Sequence, residues 1–272
     1  MKTSALFFPF DLFGHSGTRR GAELLADAFQ EMLADNKREK LPTRARAYAS
    51  KVRFEEFALD TPDAYQAWRA DARAAMRDVW DRGDFLLWVS GNHLGVLPAY
   101  DELSKTNVLV LQFDAHLDIY NLADCTAELS HGNFLMHVDG KLPPVVNVGH
   151  RELLLKPDYI AKYYRQTFSG AELALDPEPA LVAVQQACAE ADAVFLDIDC
   201  DVLDPAYFPA VVHPVPVGLS PQLLLRFLDA AWSPRVLGCA ISEFDPAHDR
   251  NDQSLSTLMW LIEYLLLRRH EK

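Results

Sequence analysis

Carboxylates and imidazoles recur just after four apolar runs in this chain. Val108–Phe113 is followed by Asp114-Ala115-His116-Leu117-Asp118, and Phe195-Leu196 leads into Asp197-Ile198-Asp199-Cys200-Asp201. Trp88-Val89-Ser90 leads into Gly91-Asn92-His93, and Ile241-Ser242 into Glu243-Phe244-Asp245-Pro246. In extended chain, residues two apart share a face, so Asp114, His116 and Asp118 are expected on one side. Carboxylates crowded at neighbouring strand ends repel one another and cannot all stay ionised without a compensating cation. Two divalent metal ions would compensate, held by His93, Asp114, His116, Asp118, Asp197 and Asp199, with carboxylates bridging. A carboxylate-rich, thiol-free set suits Mn²⁺ better than a structural Zn²⁺. Two such ions about 3.5–4 Å apart can hold a hydroxide nucleophile between them. Asp201 and Asp204 are set apart, because Asp204-Pro205 reads as a turn.

Placing these residues side by side requires a sheet. Candidate strands are Ala5–Phe10, Val52–Ala58, Asp84–Ser90, Asn107–Phe113, Val145–Gly149, Ala171–Ala174, Ala193–Ile198 and Val236–Ser242. Helical patterns lie between them at Ala22–Asn36, Asp63–Arg82, Pro179–Ala191, Pro221–Trp232 and Ser254–Arg269. Strands that alternate with helices imply parallel pairing through right-handed crossovers. Continuous apolar strands such as Val108-Leu109-Val110-Leu111 imply a sheet covered on both faces. The expected fold is α/β, a three-layer αβα sandwich with a mostly parallel sheet of about eight strands. Ligands of such sheets bind beyond the carboxyl ends of the strands. One domain over residues 1–272 is expected, since no repeat, low-complexity tract or long linker interrupts the pattern.

Composition narrows the partners. The chain has 272 residues, of which 50% are hydrophobic and 24% charged, as in globular proteins. Its net charge of −13 argues against nucleic-acid binding, which depends on clustered Lys and Arg. No apolar run approaches the roughly 20 residues of a membrane span. The opening residues show neither the apolar core nor the cleavage site of a signal peptide. The four cysteines are widely spaced with no CxxC pair, which fits reduced thiols in a cytoplasm.

Taken in order, these motifs resemble the ureohydrolase family of arginases, agmatinases and formimidoylglutamases. The matching segments are Gly91-Asn92-His93, Asp114-Ala115-His116-Leu117-Asp118, Ser130-His131-Gly132, Asp197-Ile198-Asp199 with Leu203-Asp204-Pro205, and Glu243-Phe244-Asp245-Pro246. Pro9-Phe10-Asp11 and Gly17–Ala22 resemble the family's opening loop. The resemblance runs from about residue 7 to residue 265. It implies one ion on His93, Asp114, Asp118 and Asp197, and a second on His116, Asp114, Asp197 and Asp199, with Asp114 and Asp197 bridging. It also implies His131 as a proton shuttle and Glu243 facing the guanidinium group. The implied activity is metal-dependent hydrolysis of a C–N bond in a small linear guanidino or formimino compound. Family members are often trimers or hexamers, which implies a homo-oligomer.

The chain departs from the family pattern at several places. Asn92 replaces an acid that orients the metal-binding histidine. Tyr120 stands where arginases carry an Asn that reads the substrate α-carboxylate, which is closer to agmatinases. Cys200 and Asp201 also differ from familiar members. Two other readings compete: a non-catalytic metal-binding member of the family, and a deacetylase-like metal hydrolase. His137, His150 and His213 have no motif partner and read as packing or loop residues. Arg151 reads as a surface ion-pair partner, and Leu223–Leu228 and Leu258–Leu267 as core faces of helices.

Overall fold

The computed structural model describes residues 2–59 and 61–271. Eight strands form one sheet: β1 (Thr3–Phe8), β2 (Val52–Glu56), β3 (Phe85–Ser90), β4 (Val108–Phe113), β5 (Val145–His150), β6 (Gln166–Ser169), β7 (Ala193–Asp199) and β8 (Val236–Ser242). Their order is β2-β1-β3-β8-β7-β4-β5-β6, and every pairing is parallel. The helices are α1 (Thr18–Arg38), α2 (Tyr65–Asp81), α3 (Leu97–Leu103), α4 (Pro157–Ile160), α5 (Gly170–Leu175), α6 (Glu178–Glu190), α7 (Pro221–Ala231) and α8 (Gln253–His270).

Alternate side chains of each strand enter different cores, as a period of two requires. Phe7, Leu87, Leu111, Leu196 and Ile241 pack toward α1, α6, α7 and α8. Phe8, Trp88, Val110 and Phe195 pack toward α2 and α3 on the other face. Trp88 is completely buried and stacks on Phe8 at 3.9 Å between ring centroids. The expected three-layer α/β sandwich is therefore the fold. Leu224, Phe227 and Leu228 are buried core residues, as are Leu258, Ile262 and Leu265. No helix among the described residues is long and apolar enough to cross a membrane.

One local expectation is corrected. Ala171–Ala174 is not a strand: β6 lies just before it, and Gly170–Leu175 is helical. The cause is a capping box, in which Ser169 Oγ accepts the Glu172 N–H at 3.2 Å and Glu172 Oε2 accepts the Ser169 N–H at 2.7 Å. The Ser-x-x-Glu spacing carried that signal. Helix α3 was not anticipated because each of its residues is buried, so it shows no polar face to read.

The order of strands opens the site. From β3 the chain passes over the places that β8 and β7 later fill and enters the sheet again at β4. The carboxyl ends of β3, β8, β7 and β4 thus lie side by side where the winding reverses.

Candidate metal centre

The segments after those four strands meet in one cavity of about 750 Å³, whose wall includes His93, His116, Asp118, Asp199, Asp201, His131 and Glu243. His93 begins a 3-10 turn directly after β3. It is 1% exposed, and its Nδ1 lies 3.2 Å from Asp114 Oδ2, 2.9 Å from Asp118 Oδ2 and 3.2 Å from Asp199 Oδ2. His116 Nδ1 lies 2.8 Å from Asp201 Oδ2. Two groups have ligand atoms close enough to share an ion: His93, Asp114 and Asp118, and Asp114, His116 and Asp201. Asp114 belongs to both. Together they make a site consistent with two metal ions.

The chain reaches this arrangement differently from the extended geometry expected after β4. The strand ends at Phe113, and the backbone turns so that Asp118 takes a left-handed conformation (φ 50°). Asp118 faces His93, while His116 faces Asp201. The Asp201 carboxylate also accepts the Ala115 N–H at 3.0 Å, which ties the turn after β4 to the turn after β7.

Crowding and burial set the electrostatics of the cluster. Burial, with the charge of Asp118 beside it, pushes the Asp114 carboxyl up to about 7. Burial and the charges of Asp201 and Asp114 push Asp199 well above the ordinary carboxylate range. Burial would also raise Asp201, but the His116 ring outweighs it and holds that carboxyl at about 2. Burial opposes charge on His116, yet Asp201 lifts the imidazole to about 10. His93 Nδ1 and Asp114 Oδ2 are buried without a hydrogen-bond partner. A ring nitrogen and a carboxylate oxygen left facing each other in this way fit a cation between them. The donors are oxygen and imidazole nitrogen, suited to hard or borderline divalent ions.

The structure brings Asp114, Asp118, His93, His116 and Asp199 together as the sequence suggests, but it does not bring Asp197 to the rim. Asp197 lies inside β7, paired in register with Gln112 of β4 and Ala240 of β8. It is therefore one side-chain repeat below Asp199, which ends the strand. Asp201, read from sequence with a turn, stands in its place. The alternation of Asp197, Asp199 and Asp201 offered three same-face acids, and only the register against β4 decides which two reach the edge. The turn reading holds for Asp204, whose carboxylate accepts the N–H groups of Ala206 and Gly218, each at 3.0 Å.

Glu243 follows β8 in a left-handed conformation (φ 64°). Its Oε1 accepts the His93 N–H at 2.8 Å and lies 4.0 Å from His131 Nδ1. Burial pushes its carboxyl up to about 8. His131 opens the 3-10 turn His131–His137, where Ser130 and Asn133 make a reciprocal cap. Burial lowers the His131 pKa.

Of three further side chains, one departs from its expected role. His213 lies in a loop that lines the cavity, and its Nε2 lies 2.5 Å from His15 Nε2. The His15 ring in turn meets the His131 ring edge-on at 4.6 Å. Arg151 is not a surface ion-pair partner. Its half-buried guanidinium donates to the carbonyls of Gly149, Asp201, Val202 and Val215, bracing the loop that carries Asp201. Tyr120 lines the cavity, with its N–H on the Gly132 carbonyl at 3.0 Å.

A parallel αβα sheet with an acid-and-imidazole cluster at its winding reversal defines the class of this protein. The profile of the Arginase family matches residues 3–267, and the chain belongs to that family, the ureohydrolases. It is 23% identical over 271 residues to an agmatinase of Serratia proteamaculans, covering 97% of this chain and 86% of that protein. It is 26% identical over 257 residues to a formimidoylglutamase of Halobacterium salinarum, covering 91% and 82%. The structure superposes on that of arginase from Bacillus subtilis with a TM-score of 0.79 at 22% identity, covering 98% of each chain.

Proposed function

We propose that this protein is a Mn²⁺-dependent amidinohydrolase that cleaves a C–N bond of a linear guanidino compound carrying no carboxylate. Agmatine is the leading candidate. The observation that carries the substrate preference is the cavity wall. Beside the acids that would hold the ions it offers Glu128 and Glu243 and, among the described residues, neither Lys nor Arg. Such a wall favours a cationic substrate and offers no fixed positive partner to an α-carboxylate. Arginine and formimidoylglutamate both carry carboxylates, so they rank below agmatine.

The ligand set follows the geometry rather than the first sequence assignment. His93, Asp114, Asp118 and Asp199 would hold one ion. His116, Asp114, Asp199 and Asp201 would hold the other. Such a pair, when bound, would supply hydroxide at neutral pH. The chain's own residues supply the rest. Glu243, anchored by the His93 N–H, presents a carboxyl group whose ionised form can accept the N–H groups of a guanidinium and set its carbon over the cluster. His131, whose proton affinity burial lowers, lies close to Glu243 and is placed to exchange a proton with the departing amine. The His15–His213 pair continues from His131 toward solvent.

The test is a panel of agmatine, arginine, guanidinobutyrate, guanidinopropionate, guanidine and formimidoylglutamate with the Mn²⁺-loaded protein. Urea release from agmatine well above that from arginine is expected. Efficient turnover of arginine alone would reverse the order, and no turnover of any compound would support the non-catalytic reading.

A further inference from the structure

The floor beneath the acid cluster is itself polar and completely buried. Asp197, Gln112 and Tyr100 are each 0% exposed. The Tyr100 hydroxyl donates to Asp197 Oδ2 at 2.6 Å, and Gln112 Nε2 donates to Tyr100 Oη at 3.4 Å. His93 Nε2 lies 3.0 Å from the same Asp197 oxygen. A buried carboxylate with so few donors is costly to keep, so its presence calls for a partner that uses its charge.

His93 is that partner. A carboxylate only accepts, so the contact fixes the proton on Nε2 and leaves the Nδ1 lone pair facing Asp114, Asp118 and Asp199. Ligating histidines characteristically give their second ring N–H to a carboxylate, which fixes the ring and strengthens it as a donor. The neighbouring position in sequence does not do this here. Asn92 turns its amide to the Leu12 carbonyl at 3.1 Å.

We infer that Asp197 is not a metal ligand but the positioning residue for His93, held in place by Tyr100, and that it supplies from β7 the orienting carboxylate absent at Asn92. The inference rests on the metal-binding part of the reading above, and not on the choice of substrate. It separates two acids two residues apart on one strand: Asp199 reaches the ions, and Asp197 reaches them only through an imidazole.

The experiment titrates the metal-free full chain with Mn²⁺ against a competing chelator, for the wild type, Asp197→Asn and Tyr100→Phe. In Asp197→Asn, one of the two ions should bind about 10- to 100-fold more weakly while the other keeps its wild-type affinity. Tyr100→Phe should shift the same ion in the same direction by less. Unchanged affinity for both ions would overturn the inference. So would equal loss of both, the result expected of a bridging ligand. A second readout needs no variant. In ¹⁵N-histidine spectra of the Zn²⁺-loaded wild type, His93 should be protonated at Nε2 and coordinated at Nδ1. An unprotonated or coordinated Nε2 would overturn the assignment. Both readouts stand whether or not any guanidino compound is turned over.

Discussion

His116 and Asp201 face each other at 2.8 Å across the ends of β4 and β7, joining two turns that lie 85 residues apart in sequence. The contact raises the proton affinity of the imidazole and lowers that of the carboxylate. It also distinguishes Asp201 from its neighbour Asp204. Asp201→Ala should leave the protein with close to one bound Mn²⁺ instead of two. Asp204→Ala should keep both and lose about 1 kcal/mol of stability with its turn hydrogen bonds. Elemental analysis beside urea denaturation reads both effects. Two tightly held ions in Asp201→Ala would remove that residue from the ligand set.

His131 and Glu243 lie beside the cluster without joining either ligand group, so both ions should survive His131→Ala and Glu243→Gln. Glu243→Gln removes a charge-assisted contact to a guanidinium, worth about 1.5–3 kcal/mol, read mainly in kcat/KM. His131→Ala should lower kcat by roughly 10²–10⁴-fold, with partial rescue by imidazole. Loss of an ion from His131→Ala would make that histidine a ligand. Full kcat with both ions would place the proton transfer elsewhere.

Stability in acid should depend on Asp84, far from the cavity at the start of β3. It is buried and accepts the Lys2 N–H at 3.0 Å and Arg53 Nη1 at 2.6 Å. Burial would raise its carboxyl, but the Lys2 hydrogen bond and the Arg53 charge hold it below the ordinary value. A carboxyl lowered by folding stabilises the native state above its unfolded pKa and loses that contribution as pH falls through the folded one. Asp84→Asn should therefore be less stable than wild type at neutral pH, and the gap should close below the ordinary Asp pKa of about 3.9. Chemical denaturation across that window checks it, and a gap that persists at the acid end would rule out the linkage.

Two glycines bracket β3 with different demands. A Cβ on Gly91 would come 1.9 Å from the Phe10 carbonyl, a backbone atom that cannot swing away. Gly83 meets nothing within 4 Å and is constrained only by its φ of +65°. Gly83→Ala should cost about 1–2 kcal/mol. Gly91→Ala should cost at least about 3 kcal/mol and disturb His93 two residues on. Equal melting temperatures for the two variants would contradict this.

Much of this molecule was legible in its sequence. Apolar runs such as Val108–Leu111 gave the covered parallel strands, and the acids after them marked the edge where ligands bind. Strand register was not legible. Asp197, Asp199 and Asp201 have the same parity, and only the pairing of Asp197 with Gln112 shows which of them is buried below the edge. Long-range bracing was equally hidden, because Arg151 serves backbone carbonyls 50 and more residues away. The orienting partner of His93 was sought at its sequence neighbour Asn92, but it comes from a strand two places across the sheet.

We propose that this cavity holds two ions and hydrolyses a guanidino compound that carries no carboxylate. Urea release from agmatine and from arginine, measured on one preparation whose Mn²⁺ content is known, tests it most directly. Two ions per chain and a kcat/KM for agmatine far above that for arginine are expected. A preparation carrying two ions per chain that releases no urea from agmatine would contradict it.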